Sequence, residues 1–194
     1  MVRVESNDVL GLNSTLPAFS LPDPRSGSQV SSEDLKGAPS LVIFMCNHCP
    51  FVVLLKEAIA SLTKEYAGKG VKIVAISSND AAAYPQDGPD MMAKDAEAHA
   101  YCFPYVFDET QEVAKAFGVM CTPEFFVADA AGVLKYHGRF DAATPGNGKE
   151  VTGADLRAAL DAVLAGKPVE SQPRSMGCNL KWKAGNEPAY FALP

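Results

Sequence analysis

Leu41-Val42-Ile43-Phe44-Met45-Cys46-Asn47-His48-Cys49-Pro50-Phe51 is the stretch from which the rest of the chain can be read. Its five apolar residues in a row, ended by a turn, fit a strand buried on both faces. Two cysteines three positions apart close it. Directly afterwards Phe51, Leu55, Ile59, Leu62 and Tyr66 recur at helical spacing and predict one buried helix face. The thiols therefore sit on a strand-to-helix turn, at least one of them at a helix N-terminus. Free N–H groups and partial positive charge at that end favour a thiolate over a thiol, and the thiolate is the reactive species. Pro50 suits the first helical position.

After that helix, Val71 to Ser77 is apolar and β-branched nearly throughout, as a central strand of a sheet covered on both sides would be. Strand, helix and strand at this spacing predict a right-handed crossover. Upstream, Ala18–Leu21 and Ser28–Val30 flank the breaker Pro22-Asp23-Pro24-Arg25-Ser26-Gly27 and predict a hairpin, followed by one helical turn over Ser31–Gly37. Residues 1–16 are polar and read as a loose lead-in. Downstream, 79–89 reads as a loop, 90–101 as a helix, 105–107 as a strand and 109–117 as a short helix ended by Gly118. Residues 124–128 and 133–140 form a second hairpin about Asp129-Ala130-Ala131-Gly132. Thr152-Gly153-Ala154-Asp155 caps a last helix that ends at Gly166. The expected organisation is one domain over 1–166 and a tail over 167–194. Trp182, Tyr190 and Phe191 make that tail too aromatic for simple disorder, so it is expected to lie against the domain.

With 194 residues the chain is long enough for one full core. Its net charge of −6 argues against a nucleic-acid partner or an anionic membrane surface, either of which wants a basic face. Arg3, Glu5 and Asp8 interrupt the N-terminal segment, so no secretory signal is expected there and the expected location is cytoplasmic. Five cysteines are odd in number and too few for a disulfide-stapled scaffold. In a reducing compartment a CxxC pair is catalytic or metal-binding rather than structural. Structural zinc takes four ligands, usually as two close pairs. Cys121 and Cys178 stand alone and no HxxxH accompanies them, so no metal and no other cofactor is expected. CxxC on the first strand-to-helix turn of such a unit reads as thioredoxin-like.

Further motifs carry a resemblance. Gly118-Val119-Met120-Cys121-Thr122-Pro123-Glu124-Phe125-Phe126-Val127 resembles the thioredoxin-fold segment whose proline follows a cis peptide bond and faces the CxxC. Leu16-Pro17-Ala18-Phe19-Ser20-Leu21-Pro22-Asp23 resembles the opening of the alkyl hydroperoxide reductase/thiol-specific antioxidant (redoxin) group. Cys46-Asn47-His48-Cys49-Pro50-Phe51, Cys121-Thr122-Pro123 and Gly177-Cys178-Asn179-Leu180-Lys181-Trp182-Lys183 together resemble its peroxiredoxin-like 1 branch. The fold this implies is thioredoxin-like α/β, with a central mixed sheet, helices on both faces, an N-terminal hairpin extension and a C-terminal tail. Two registers are open. Matching CxxC to CxxC makes Cys46 the exposed nucleophile and Cys49 the resolver. Matching Phe44 to the phenylalanine that ends the thioredoxin strand puts Cys49-Pro50 on the first thioredoxin cysteine, where peroxiredoxins carry their peroxide-reacting Cys-Pro. The second is preferred because it keeps the strand-to-cysteine spacing. Cys46 then stands where peroxiredoxins carry a threonine, and their arginine near Thr122-Pro123 has no counterpart.

The activity this implies is thiol–disulfide exchange, in which one thiolate attacks a sulfur and a second thiol resolves the mixed disulfide. Cys49 is expected to be the lower-pKa thiol and Cys46 its partner. His48 is either a proton-transfer group or a solvated turn residue. Pro123 is expected to be cis, leaving the backbone of Thr122 open to a bound peptide or small disulfide, as an added strand is held. Cys121 and Cys178 are accessory thiols or packing groups. Cys102 is expected in the core, and His99 and His137 in packing or at the surface. Substrates would be protein or small-molecule disulfides, or a peroxide, and the electrons would come from a thioredoxin or glutathione system. The alternatives are a thiol peroxidase in which Cys49 goes to sulfenic acid and Cys46 resolves it, and a non-catalytic redox sensor.

Overall fold

The computed structural model describes residues 2–191. In chain order the strands are β1 (Arg3–Glu5), β2 (Ser20–Pro22), β3 (Gln29–Ser31), β4 (Ser40–Phe44), β5 (Lys72–Ser77), β6 (Tyr105–Phe107), β7 (Cys121–Thr122), β8 (Glu124–Ala128), β9 (Leu134–Gly138) and β10 (Met176–Asn179). The helices are α1 (Pro50–Gly68), α2 (Pro89–Ala98), α3 (Glu112–Phe117) and α4 (Ala154–Leu164). The main sheet runs β6-β5-β4-β8-β9. Its β4–β5 and β5–β6 pairs are parallel, while β4–β8 and β8–β9 are antiparallel. The fold is thus mixed α/β, with β4 at its centre.

The alternation within β4 builds both layers. Leu41 and Ile43 face Leu55 and Ile59 of α1, Met92 of α2, and Leu156 and Leu160 of α4. Val42 and Phe44 face the other way, toward Phe117 of α3, Phe19 and Leu21 of the N-terminal hairpin, and Trp182 of the tail. Every residue of β4 is buried, which is why its sequence shows no polar alternation.

Several boundaries differ from the sequence reading. The N-terminal segment is not a loose lead-in: β1 pairs with β10, and Thr15 bridges Val133. Helix α3 starts at Glu112 rather than Glu109. Gln111 is buried in a left-handed conformation (φ +66°), its amide donating to the Ser78 and Lys181 carbonyls. Ahead of α4, Asp141 Oδ2 accepts the Thr152 and Gly153 N–H groups at 2.7 Å each and so fixes the lead into the helix, while Thr152 Oγ1 accepts the Ala154 N–H at 3.3 Å. Gly153 itself has φ +69°, and a Cβ there would lie 2.8 Å from Leu62 Cδ1.

The tail does more than lie on the surface. Strand β10 is the middle strand of a second sheet, β1-β10-β7, and so joins both ends of the chain to the segment before Pro123. Beyond it, Lys181 N–H donates to Asn79 Oδ1, Lys183 N–H to Gln111 Oε1, and the Tyr190 hydroxyl to the Ala114 carbonyl. These bonds hold the tail across the loop ends of β5 and β6.

Candidate active site: two thiols against a cis-proline segment

Strand β4 ends at Phe44, and Met45 N–H still bonds the Ile76 carbonyl at 3.0 Å, so Cys46 leaves the sheet in a fixed direction. Asn47 and His48 make the bend. Cys49 is the cap residue of α1, with extended backbone (φ −62°, ψ 123°), and Pro50 occupies the first helical position, its ring exposed. Cys46 and Cys49 are each 1 % exposed. Opposite them lies Thr122, which precedes Pro123 through a cis peptide bond. The Cys49 thiol donates to the Thr122 carbonyl (3.2 Å), and Cys46 Sγ lies 3.4 Å from the Thr122 hydroxyl. One residue of β7 therefore touches both sulfurs of the turn.

The sulfurs differ in which of them holds a proton. Cys49 is pushed well below the ordinary thiol range, first by an S–H hydrogen bond from Cys178 and next by one from Cys46. A backbone N–H of the first turn, at Val52, adds to both, and together they outweigh the penalty of burial. Cys46 is pushed up, chiefly because its proton is shared with Cys49, then by burial and by the Asp87 charge. Cys178 is pushed up for the same first reason. The bond from the Cys49 thiol to the Thr122 carbonyl belongs to the protonated form. Once ionised, Cys49 accepts instead from the Cys178 and Cys46 thiols and from the Val52 and Cys178 backbone N–H groups, and four donors outweigh one acceptor. Cys49 is accordingly the first sulfur of the cluster to ionise.

His48 stands beside this cluster on a buried support. Its Nδ1 lies 2.6 Å from Asp87 Oδ2, and its ring stacks on Tyr84 with centroids 5.6 Å apart. Asp87 is fully buried in the loop before α2. It also accepts the Asn47 and His48 backbone N–H groups and the Asn79 side-chain amide. Asn79 in turn accepts Lys181 N–H. One carboxylate thus braces the CxxC bend, orients its histidine and connects both to the tail. No local pattern marks Asp87 in the sequence, where it lies among turn-forming residues of 79–89.

Other expectations need correction. The backbone of Thr122 is not open to a peptide: the residue is 2 % exposed and pairs with Cys178 of β10. Cys102 is exposed, because Tyr101 and Phe103 on either side turn inward and stack at 4.8 Å. His137 does pack in the interior, and it has a polar partner there as well. It is buried on β9, stacks on Phe126 and bonds Glu124 Oε2 at 2.9 Å. Glu124, directly after Pro123 and fully buried, accepts the Met120 and Cys121 N–H groups at 2.8 Å each, fixing the bend that presents Thr122. Cys121 is fully buried, and burial, followed by the Glu124 charge, holds it as a thiol. Cys178, by contrast, reaches the Cys49 sulfur.

Cys46, His48 and Asp87 bring one ligand atom each within 4.8 Å of one another. Sulfur, imidazole and carboxylate are a donor set that zinc accepts. Both Asp87 oxygens, however, already serve as acceptors, Oδ1 to two backbone N–H groups and Oδ2 to His48 and Asn79. A cleft of about 100 Å³ opens beside the site. Phe51, Pro123 and Met176 line its inner part, with Arg139, Arg174 and Glu5 at its rim.

A strand–turn–helix that sets two thiols against a cis-proline segment, on a mixed sheet with helices on both faces, defines a thioredoxin-like redox protein. The chain belongs to the AhpC/TSA family, whose profile matches residues 12–137. An uncharacterized conserved protein from Geobacillus kaustophilus is 48% identical, with a TM-score of 0.91 over 94% of this chain and 97% of that one. A hypothetical protein from Sinorhizobium meliloti 1021 is 49% identical, with a TM-score of 0.90 over 93% and 99% of the two chains. Peroxidoxin BcpB from Mycobacterium tuberculosis, 22% identical with a TM-score of 0.57 over 79% of this chain and 96% of its own, shares the fold. No curated protein matches the sequence. Among the described residues no helix is long and apolar enough to cross a membrane.

Proposed function

We propose that the chain is a thiol–disulfide oxidoreductase that cycles Cys46 and Cys49 between dithiol and disulfide, with Cys49 as the attacking sulfur. The observation that carries this is the convergence of both CxxC sulfurs on the residue before the cis proline: Cys49, at a helix start, lies 3.2 Å from the Thr122 carbonyl and Cys46 3.4 Å from the Thr122 hydroxyl. Attack of the Cys49 thiolate on a substrate disulfide forms one S–S bond and releases one substrate thiolate. Cys46 then gives up its proton, attacks Cys49 and releases the second substrate thiol. In this cycle His48, held by Asp87 at 2.6 Å, passes protons between Cys46 and solvent. Pro123, which lines the cleft beside the thiols, forms the wall against which the substrate sulfur is presented. A cytoplasmic setting with a thioredoxin or glutathione donor suits such a cycle. Insulin-disulfide reduction with either donor tests it: turnover is expected in the wild type and lost in Cys49→Ser and Cys46→Ser, while turnover persisting without Cys49 overturns it.

A second reading is a thiol peroxidase. Both the family and the burial of Cys49 favour it, since a peroxide reaches a nearly covered sulfur more readily than a protein disulfide does. Cys49 would become sulfenic acid with release of an alcohol or water, and Cys46 would condense with it and expel water. Peroxide consumption coupled to the same donors distinguishes the two.

A further inference from the structure

We propose that Cys178 is a redox thiol of this site, the internal disulfide partner of Cys49, held by strand β10 in the place an incoming disulfide-bearing strand would take. The proposal rests on Cys49 being the attacking sulfur, as above.

The placement comes from pairing. β10 lies antiparallel to β7 with Cys178 opposite Thr122, the residue whose carbonyl meets Cys49 at 3.2 Å. Rungs beyond the pair fix the strand: Asn179 N–H to the Val2 carbonyl, Leu180 N–H to Met120, and Ser6 N–H to Ser175. Gly177 brings β10 unusually close, since a Cβ there would lie 2.1 Å from the Thr122 carbonyl oxygen. The result is a sulfur in hydrogen-bond contact with Cys49. Alanine or valine would fill the same buried space. Only cysteine also gives Cys49 a proton and offers it a bond. The edge of β7 that would grip a substrate strand is therefore occupied by the chain's own strand, which carries its own cysteine. Cys178 lies beyond the residues matched by the family profile.

With a low-molecular-weight disulfide RSSR as oxidant, the Cys49 thiolate attacks one sulfur, forms Cys49–S–SR and releases RS⁻, which takes the Cys178 proton. The Cys178 thiolate then attacks Cys49 Sγ, the Cys49–Cys178 bond forms, and the second RS⁻ leaves and takes a proton from solvent. Two protein thiols are oxidised and one RSSR is reduced to two RSH. Cys46 can next attack Cys49, forming Cys46–Cys49 and returning its proton to the departing Cys178 with no net redox change.

The test is oxidation by oxidised glutathione, followed by acid quench, alkylation and peptide mass mapping. In Cys46→Ser the expected product has lost two thiols, retains no glutathione and contains a Cys49–Cys178 peptide. A product that stops as one glutathione adduct on Cys49 overturns the proposal, while the function proposed above stands if the wild type still closes Cys46–Cys49. A wild type that forms no disulfide at Cys49 overturns both. Should Cys46→Ser fail to fold, quenching the wild type at early times decides instead. A transient Cys49–Cys178 peptide supports the relay, and Cys46–Cys49 alone at every time overturns it.

Discussion

Gly177→Ala puts the contact between the tail and the site to a quantitative test. The glycine is not in the left-handed region, so alanine is conformationally allowed there. By chain entropy alone the substitution would stabilise the fold by about 0.4–1 kcal/mol. The structure demands the opposite sign. The new methyl would lie 2.1 Å from Thr122 O and 2.7 Å from Thr122 C, both of them backbone atoms that no rotamer change can move. Ordinary contact requires the strands to part by roughly 1 Å. That stretch takes a normal ladder hydrogen bond beyond its working range. Overpacking of this kind costs about 1–3 kcal/mol, and each buried backbone group left unpaired adds about 1–3 kcal/mol. A net loss of about 2–4 kcal/mol corresponds to a fall in Tm of roughly 4–16 °C for a chain of this size. Thermal unfolding of the reduced protein by circular dichroism measures it, and alkylation of Cys49 by a small reagent should quicken in the same variant. An unchanged or raised Tm with Cys49 equally protected would refute the close packing of β10 on β7.

Further outcomes follow from the same geometry. Asp87→Ala leaves two backbone N–H groups, the Asn79 amide and His48 without their acceptor, and chemical denaturation should show a loss of about 3 kcal/mol or more; Asp87→Asn should lose less, because it keeps part of the acceptor capacity. Glu124→Ala removes the partner of His137 and of two N–H groups beside Pro123, with an expected loss of about 3–5 kcal/mol in the same measurement. Because Cys49 is held low, its alkylation rate should stay nearly flat as pH falls below ~8.5, the region where an ordinary thiol slows about tenfold per unit; an ordinary thiol profile contradicts the hydrogen bonding described. The depressed Cys49 contributes stability that is complete above pH ~8.5 and is lost as pH falls through its folded value. Cys46 and Cys178, held high, contribute stability that is complete below ~8.5 and lost as pH rises. Reduced protein should therefore weaken on the alkaline side, and less steeply in Cys178→Ser, as urea titrations at several pH values would show. A chelator should leave the thiol titration unchanged, whereas one zinc ion per chain in purified protein by metal analysis would move Cys46, His48 and Asp87 to a metal site.

Much of the architecture is legible locally. The run at 41–45 is wholly apolar and that at 71–77 nearly so, broken by the exposed Lys72 and by Ser77, because both faces of β4 and β5 are covered, and the heptad-like spacing from Phe51 to Tyr66 is the inner face of α1. The CxxC turn is legible for the same reason: it lies where those two patterns meet. The features that the local sequence does not mark depend on distant pairing. Met176-Gly177-Cys178-Asn179 has no strand pattern of its own and is extended because β1 and β7 grip it on both edges. For the same reason Thr122 looks like an open edge in the sequence, since the strand that covers it comes near the end of the chain. Asp87 and Glu124 look like ordinary surface acids. Their burial depends on converging N–H groups from other segments, which composition does not record.

In the proposed cycle Cys49 is one member of a reversible two-electron thiol pair. Poising the wild-type protein across a series of glutathione redox buffers, then alkylating and weighing it, tests this most directly. The expected result is a single two-electron transition in which Cys49 and one neighbouring thiol lose their label together while the exposed Cys102 keeps its own. Retention of the label on Cys49 at every potential would contradict it.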